Sequence, residues 1–463
     1  MTAAPTHFPC LARIGVLCFF AALTACGGGG GSGGELRCTE DVRKSWLLEV
    51  TEDWYLFPET LPQDIDPDGF ASPQALLDFL TRTAREEGKD RNFSYLTTRA
   101  ADQSFFGGGQ FVGFGLRTHI EGGSRLWIVE VFEGSPAAAA GLARGAEITA
   151  IDAGDGFRPL AEWLAEDPDL ETALGPAEEG VTRGLRYTLG GATNEVSLTK
   201  RLVTIDPVPD VGGAAILPLA GTAGVGYLNL RTFVSTADAQ LRQAFDEFRI
   251  AGLTDFVIDL RYNGGGLVAT TELLGDLLGG ARSTSDVFSQ TRFNAARAPA
   301  NDEIRRFRDD PAAVAPVRIA FLTTDSTASA SELLINSMAP WVEIAIVGQD
   351  TFGKPVGQSA FDLSGCQDRL RLVTFRTDNA LDQGSYFDGL APTLPFACSA
   401  ADDLSRPQGD PGEAMTAAAL DWLATGQCGV LIGAEAALPK PSGATATAAK
   451  PAAPERPYLP GVY

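Results

Sequence analysis

Two short stretches hold the residue types that could make and break a covalent bond. One is Thr327-Ala328-Ser329-Ala330-Ser331-Glu332; the other is Thr351-Phe352-Gly353-Lys354-Pro355-Val356-Gly357-Gln358. A serine hydroxyl is a poor nucleophile until a neighbouring base removes its proton. Histidine is the usual base, but the chain has only 2, His7 and His119. The first falls in an apolar leader and the second in a different module from the serine, which argues against a histidine-dependent triad. A lysine can do the same work when burial in an apolar pocket leaves it neutral. Lys354, with Phe352 and Gly353 before it and Pro355 and Val356 after it, has that setting.

The elements that must position these residues surround them. Val317-Arg318-Ile319-Ala320-Phe321-Leu322 reads as a buried strand, followed by a Thr/Asp/Ser turn. Leu333, Leu334, Ile335 and Met338 then recur at helical spacing. A serine on such a strand-to-helix turn is held at the mouth of a sheet, beside a helix N-terminus that favours a developing negative charge. The lysine stretch follows another apolar strand, Ile344-Ala345-Ile346-Val347. A third strand, from Phe256 to Leu260, runs through Arg261-Tyr262-Asn263 into Gly264-Gly265-Gly266. Acyl transfer needs two N–H donors for its oxyanion, and a glycine turn lets a backbone amide come close. A phosphate cradle is the competing reading of the three glycines, but no Gly-Lys-Ser/Thr follows them. A Ser-x-x-Lys pair on one helix is absent too, because Glu332 stands three residues after Ser329.

Together these stretches resemble family S41 of the serine peptidases, the tail-specific or C-terminal processing proteases. That family pairs an S-A-S-A-S-E-type turn with a T-F-G-K-G-x-x-Q-type turn, in this order and at this separation. The resemblance implies Ser329 as nucleophile, Lys354 as general base and Gln358 as the residue that orients Lys354. Residues 259–266 resemble the family's D-L-R-x-N-x-G-G stretch, which implies the Gly265 amide as one oxyanion donor. The amide of Ala330, the residue after the nucleophile, is expected to be the other. Ser331 does not give the family's spacing to Lys354. Ser326 and Pro355 stand where glycines are common, and Thr393 of Gly389-Leu390-Ala391-Pro392-Thr393 stands where a G-I-x-P-D segment has an aspartate. None of these departures removes a catalytic group. No metal or organic cofactor is implied.

At 463 residues the chain has room for about three domains. Its 44% hydrophobic and 21% charged residues can build real cores. A net charge of −23 argues against a nucleic-acid partner and reads as a soluble, self-repelling surface. Arg13 precedes an apolar run at 14–23, too short to span a bilayer stably but suited to a secretory leader. Leu23-Thr24-Ala25-Cys26 then resembles the bacterial lipobox, which implies lipidation of Cys26 as the mature N-terminus. No other stretch is long and apolar enough for a transmembrane helix. Gly27 follows, not the aspartate that retains some lipoproteins at the inner membrane, so the expectation is an outer-membrane anchor facing the periplasm or exterior. An exported chain meets an oxidising environment, and Cys38, Cys366, Cys398 and Cys428 fit two disulfides. Their spacings are too wide to suggest a zinc site. Three pairings are possible and the sequence does not choose; our expectation is Cys366–Cys398, with Cys38–Cys428 joining the chain ends.

In chain order, residues 1–25 read as the leader and 26–38 as a glycine-rich tether. Residues 39–102 read as a mostly helical N-terminal region. Trp46, Leu47, Val50, Trp54 and Tyr55 recur at helical spacing, and Ser72-Pro73 starts a second helix through Leu76, Leu77, Phe79 and Leu80. Asp64, Asp66, Asp68 and Gly69 mimic a calcium loop, but Ala75 stands where the bidentate glutamate belongs and Pro67 stiffens the middle. A solvated acidic turn is the better reading.

Residues 103–203 change to glycine-rich loops and short strands. The order of Gly113-Phe114-Gly115-Leu116, Gly134-Ser135-Pro136-Ala137 and Ile148-Thr149-Ala150-Ile151-Asp152 resembles a PDZ domain. That implies a carboxylate-binding loop at Gly113, Phe114, Gly115 and Leu116, where a peptide C-terminus docks while the peptide adds as a strand. Residues 158–182 read as acidic and helical, and 195–203 as the last strand. Residues 204–430 alternate strands with helices, the pattern of an α/β core. The resemblance makes this a ClpP/crotonase-like S41 core. Within it the arginine-rich stretch 282–312 reads as a solvated helix or lid, and residues 431–463 as a disordered Ala/Pro-rich tail.

The expectation is therefore a multidomain α/β protein with one of two functions. The first is a lipid-anchored serine endopeptidase that cleaves unstructured protein or peptide tails through a Ser-Lys dyad and an acyl-enzyme. Its partners would be a substrate with a free C-terminus and, through the lipid, a membrane. The second is a PDZ-containing periplasmic binding or adaptor protein that no longer cleaves, as retinoid-binding proteins use this core without being peptidases. The intact Ser329, Lys354 and Gln358 favour the first.

Overall fold

The computed structural model describes residues 38–433; the leader, Cys26, the tether to residue 37 and the tail from residue 434 lie outside the described residues. The centre is a six-stranded sheet in the order Ala214–Leu217, Val225–Asn229, Asp255–Asp259, Arg318–Thr323, Glu343–Gly348, Ala397–Ser399. All neighbours run parallel except the first pair. Sheets covered on both faces use near-continuous apolar strands, and here Val257, Ile258, Ala320, Phe321, Ala345 and Ile346 are all buried. Helices Ala237–Ile250, Val268–Leu277 and Ala330–Met338 cover one face; Ala414–Thr425 covers the other through Met415, Ala419 and Trp422. Leu241, Phe245 and Phe248 share one side of the first helix, which is why that side is buried.

A second sheet stands against this core. Its long strand Asp368–Asp378 pairs with Val356–Asp362, with Val287–Phe293 and with Tyr95–Thr98 from the N-terminal region. Helices Glu40–Trp54 and Pro73–Leu80 pack on it, and Leu47, Tyr55, Leu76, Leu77, Leu370, Leu372 and Val373 form a shared core. Ser72 caps the second helix, as the Ser-Pro start predicts. Residues 39–102 are mostly helical, with one strand, Tyr95–Thr98, whose partner lies far along the chain. One expectation needs correction here. The stretch 282–312 is neither a solvated helix nor a lid. It holds the hairpin Val287–Phe293 and Glu303–Arg306 with a short helix, Ala298–Asn301, between its strands. Arg305 of that stretch is not solvated but buried between Glu272 and Asp276 of the neighbouring helix.

The third module is a β-rich unit with strand order Leu116–Glu121, Arg125–Val131, Glu147–Asp152, Thr182–Leu189, Ala192–Thr199. Residues 195–203 are not one strand: the chain breaks at Lys200, and Arg201–Thr204 pairs instead with Gln110–Gly113. The acidic 158–182 stretch carries two short helices, Leu160–Glu166 and Glu171–Leu174. The disulfide pairing also differs from expectation. Cys38 bonds Cys366 and Cys398 bonds Cys428, with Cα separations of 5.7 and 5.0 Å, within the range a disulfide can close. The register that docks the N-terminal helix on the Val356–Asp362/Asp368–Asp378 hairpin puts Cys38 beside Cys366. Cys398, on the edge strand of the central sheet, faces the segment after the last helix.

Candidate active site

Ser329 lies between the strand Arg318–Thr323 and the helix Ala330–Met338, at φ 57° and ψ −113°. A non-glycine residue at positive φ costs of order 1–3 kcal/mol and persists only where its surroundings enforce it. The enforcement is visible. Ala328 N–H donates to the Asn263 carbonyl at 3.1 Å, as does the Ser331 hydroxyl at 2.9 Å. The Thr327 hydroxyl donates to the Leu260 carbonyl at 2.8 Å. The serine turn is thus stitched to the glycine turn on the neighbouring strand.

That glycine turn is fixed from behind. The fully buried Arg261 guanidinium is held by Asp259, Glu413 and Asp402 at 2.9, 3.0 and 2.8 Å. Burial opposes its charge, but those carboxylates outweigh burial and raise its pKa well above the usual value. Asn263 spans the turn, donating to the Leu230 carbonyl at 2.7 Å and accepting from Gly265 N–H at 2.9 Å. Gly265 sits at φ 110°, and a Cβ there would lie 2.9 Å from Ala330 N, Ala328 O and Ser329 Cβ, so only glycine fits against the serine. The expected oxyanion donors are therefore adjacent but not equal. The Gly265 N–H already serves Asn263, while no partner within the described residues accepts from Ala330 N–H.

The lysine turn is tied to the serine turn by one side chain. Glu332 is fully buried; its Oε2 accepts from Ser329 N–H at 2.9 Å and Lys354 N–H at 2.8 Å, and its Oε1 from Gly353 N–H at 2.7 Å. Burial raises its pKa, while these donors and the Thr351 hydroxyl pull the other way. A site built of donors alone selects the carboxylate. Glu332 was not singled out from the sequence beyond its place in the motif. The readable signal was its capping-box position, three residues after Ser329. Gly353, at φ 86°, could not carry a Cβ, which would lie 2.3 Å from the Phe387 carbonyl. The departures from the family pattern are absorbed: neither Ser326 nor Pro355 has positive φ, and Thr393 ends a short helix through its hydroxyl to the Leu390 carbonyl.

Lys354 is 4% exposed. Burial drives its pKa well below the ordinary 10.5, with Asp90 and Glu332 opposing the shift and Arg371 and Arg91 adding to it. Nζ donates to Gln358 Oε1 at 3.4 Å, and Gln358 Nε2 donates to the Phe93 carbonyl at 2.5 Å. Phe93, Asp90 and Arg91 come from the N-terminal region and were missed in the sequence. The arginine stacks on Phe352 at 4.1 Å and donates to the Phe352 and Gly353 carbonyls. His119 is on the β-rich module, paired across from Trp127. Among the described residues no cluster of His, Cys, Asp or Glu could hold a metal ion.

In the β-rich module, Gly115 links Gln110–Gly113 to Leu116–Glu121, and a Cβ on it would lie 2.0 Å from Ser135 Cβ. Its carbonyl accepts from Phe132 N–H and the Ser135 hydroxyl, and Phe114 is buried beneath. Gly113, Phe114, Gly115 and Leu116 thus form one turn. It leads into a strand paired on one side only among the described residues.

A serine on a strained strand-to-helix turn, a buried lysine whose backbone N–H shares the Glu332 carboxylate with the serine N–H, and an Ala330 amide with no acceptor among the described residues are the kinds of group that acyl transfer requires. Residues 224–394 match peptidase family S41 and residues 43–95 match the peptidase S41 N-terminal domain. The chain thus carries a peptidase S41 domain, preceded by a segment that matches the N-terminal domain of that family. It is 29% identical over 293 residues to a chloroplastic C-terminal processing peptidase of Tetradesmus obliquus, covering 59% of this chain and 58% of that one. It is also 29% identical over 258 residues to a carboxyl-terminal-processing protease of Synechocystis sp., covering 55% and 56%. The match thus spans a little over half the length of these relatives. A Bacteroides fragilis protein assigned to the S41 proteases shares the fold, with a TM-score of 0.61 at 24% identity over 82% of this chain and 97% of that one.

Proposed function

We propose that this chain is a serine endopeptidase that cleaves unstructured protein or peptide tails through a Ser329–Lys354 dyad. The observation that carries the reading is the Glu332 carboxylate, which binds the backbone of both turns while Lys354 is buried with a depressed pKa. A neutral Lys354 amine takes the Ser329 proton as Oγ attacks the scissile carbonyl, then returns it to the leaving amine. Water hydrolyses the resulting acyl-enzyme. Gln358 orients the amine. Ala330 N–H receives the oxyanion, and Gly265 N–H joins it by sharing its hydrogen with Asn263 Oδ1. The chemistry calls on no metal or organic cofactor.

The C-terminal processing relatives suggest the substrate class, a protein with a free C-terminus. The turn at Gly113, Phe114, Gly115 and Leu116 and the open edge of the following strand suit PDZ-type capture of such a terminus by strand addition. In this reading the domains divide near residues 103, 204 and 430, and lipidation at Cys26 holds the enzyme at the cell envelope, at the outer membrane facing the periplasm or exterior.

The test uses the chain from residue 27 onward and an unstructured protein ending in small apolar residues. Cleavage by the wild type, lost in folded Ser329→Ala and Lys354→Ala variants, is the expected result. Binding of the free C-terminus without cleavage would instead identify an adaptor. Full activity in Lys354→Ala would overturn the mechanism.

A further inference from the structure

The base pocket has a wall that the peptidase domain does not supply. Lys354 Nζ lies 4.7 Å from the centre of the Phe93 ring, and the Phe93 carbonyl accepts from Gln358 Nε2 at 2.5 Å. One residue therefore touches both the amine and the group that orients it. Phe93 is in turn fixed by Asp90, which is fully buried. Asp90 Oδ1 accepts from Phe93 N–H at 2.7 Å and Ser94 N–H at 3.1 Å. Its Oδ2 accepts from the Ser94 hydroxyl at 2.6 Å and the Tyr55 hydroxyl at 2.9 Å. Ser94 Oγ then accepts from Val373 N–H at 3.1 Å, which pins the segment to the strand beside Gln358. Tyr55, Asp90, Phe93 and Ser94 all lie within the 43–95 segment, outside the 224–394 peptidase match.

We propose that Phe93 is a positioning residue of the N-terminal domain, set by Asp90, that seals the Lys354 amine from water and holds Gln358 against it. The inference rests on the peptidase reading of Ser329 and Lys354. Four charged groups face the amine: Asp90 and Glu332 favour its protonated form, while Arg371 and Arg91 disfavour it. Removing the ring withdraws an aromatic face 4.7 Å from the ammonium but also admits water; because burial is the largest influence on this amine, the second effect dominates and the ammonium persists to higher pH. Removing the Asp90 charge withdraws a partner of the ammonium and does the opposite. The two substitutions must therefore move the base in opposite directions, which general loosening of the fold would not do.

The experiment measures the rate at which a fluorophosphonate probe labels Ser329 against pH, in chains from residue 27 onward whose folding is checked by thermal melting. The wild-type rate rises with pH through the Lys354 titration. Phe93→Ala should shift that rise to higher pH by about one unit, a roughly tenfold slower rate on the rising limb. Asp90→Asn, which keeps an oxygen for the Phe93 and Ser94 amides, should shift it to lower pH. Limbs that stay at the wild-type position in folded variants, or that move the same way, overturn the proposal. If Phe93→Ala does not fold, Asp90→Asn decides alone: a downward shift supports the proposal, and an unmoved or upward limb overturns it. Lys354→Ala and Ser329→Ala are run beside them; labelling that survives in Lys354→Ala removes the dyad itself and is separable from a failure of the Phe93 assignment.

Discussion

The two modules that flank the core meet it by different physics. The N-terminal helices join through a continuous apolar core, through strand pairing of Tyr95–Thr98 with Asp368–Arg371, and through the Cys38–Cys366 bond. The β-rich module joins largely through charge. Arg144 reaches the Tyr262 hydroxyl and Asp402, and Arg231 of the core is held by Glu130 and Glu133 with Arg117 alongside. Apolar burial and a covalent bond are insensitive to ionic strength, whereas ion pairs near a surface are screened by salt. The first junction carries residues that touch Lys354 and so has to be fixed. The second contributes no group to the serine or lysine turns. It meets the core at Tyr262, within the glycine turn, where a change in the junction can reach the site.

The largest expected effect comes from breaking the charged junction. Arg231→Met leaves Glu130 buried with one cation in place of two, and should cost roughly 3–5 kcal/mol in urea unfolding. A loss below about 1 kcal/mol would mean the module is held by something other than these ions. Next is the covalent tie. Replacing Cys38 and Cys366 together by serine should cost about 2–4 kcal/mol and slow fluorophosphonate labelling of Ser329 in parallel. Lower stability with labelling unchanged would show that the N-terminal junction does not serve the site.

Lys354→Met separates function from stability. Activity should vanish while stability at neutral pH rises by roughly 1–4 kcal/mol, because an amine held in an apolar site is replaced by a side chain that belongs there. The sign with pH follows from the depressed pKa. Between the folded value and the ordinary 10.5 the unfolded chain binds more protons, so wild-type stability climbs with pH and the variant's advantage shrinks toward alkaline pH. An advantage that grows with pH would contradict the depressed pKa. The smallest effect is that of salt. Raising sodium chloride from low to molar concentration should weaken the junction at Arg144 and Asp402, both partly exposed, by about 1 kcal/mol or less. Hydrogen exchange should then quicken in the β-rich module and not in the N-terminal helices.

What the sequence carried openly was local. The serine and lysine turns, their strands and the helix Ala237–Ile250 depend on neighbours a few residues away, and each appears where the spacing puts it. What it hid depends on distant partners. Tyr95–Thr98 becomes a strand only because Asp368–Arg371 offers an edge. Arg305 looks like a surface cation until Glu272 and Asp276 are brought over it. The cysteine pairing follows the docking of the first helix, which no spacing encodes. The Glu332 carboxylate was readable as a helix cap, but its bonds to Gly353 and Lys354 were not. Phe93 and Asp90 had no mark beyond an aspartate three residues before a phenylalanine.

The bond between Phe93 and Gln358 spans 265 positions, and the Cys38–Cys366 link spans 328. A chain leaving the ribosome N-terminus first presents Phe93 long before the strands that give it a purpose. Contacts this distant in sequence are slow to close. The serine turn can be made, and its strand buried, while no base pocket yet exists beside it. The Lys354 pocket can therefore close only once the first hundred residues meet the hairpin Val356–Asp362/Asp368–Asp378.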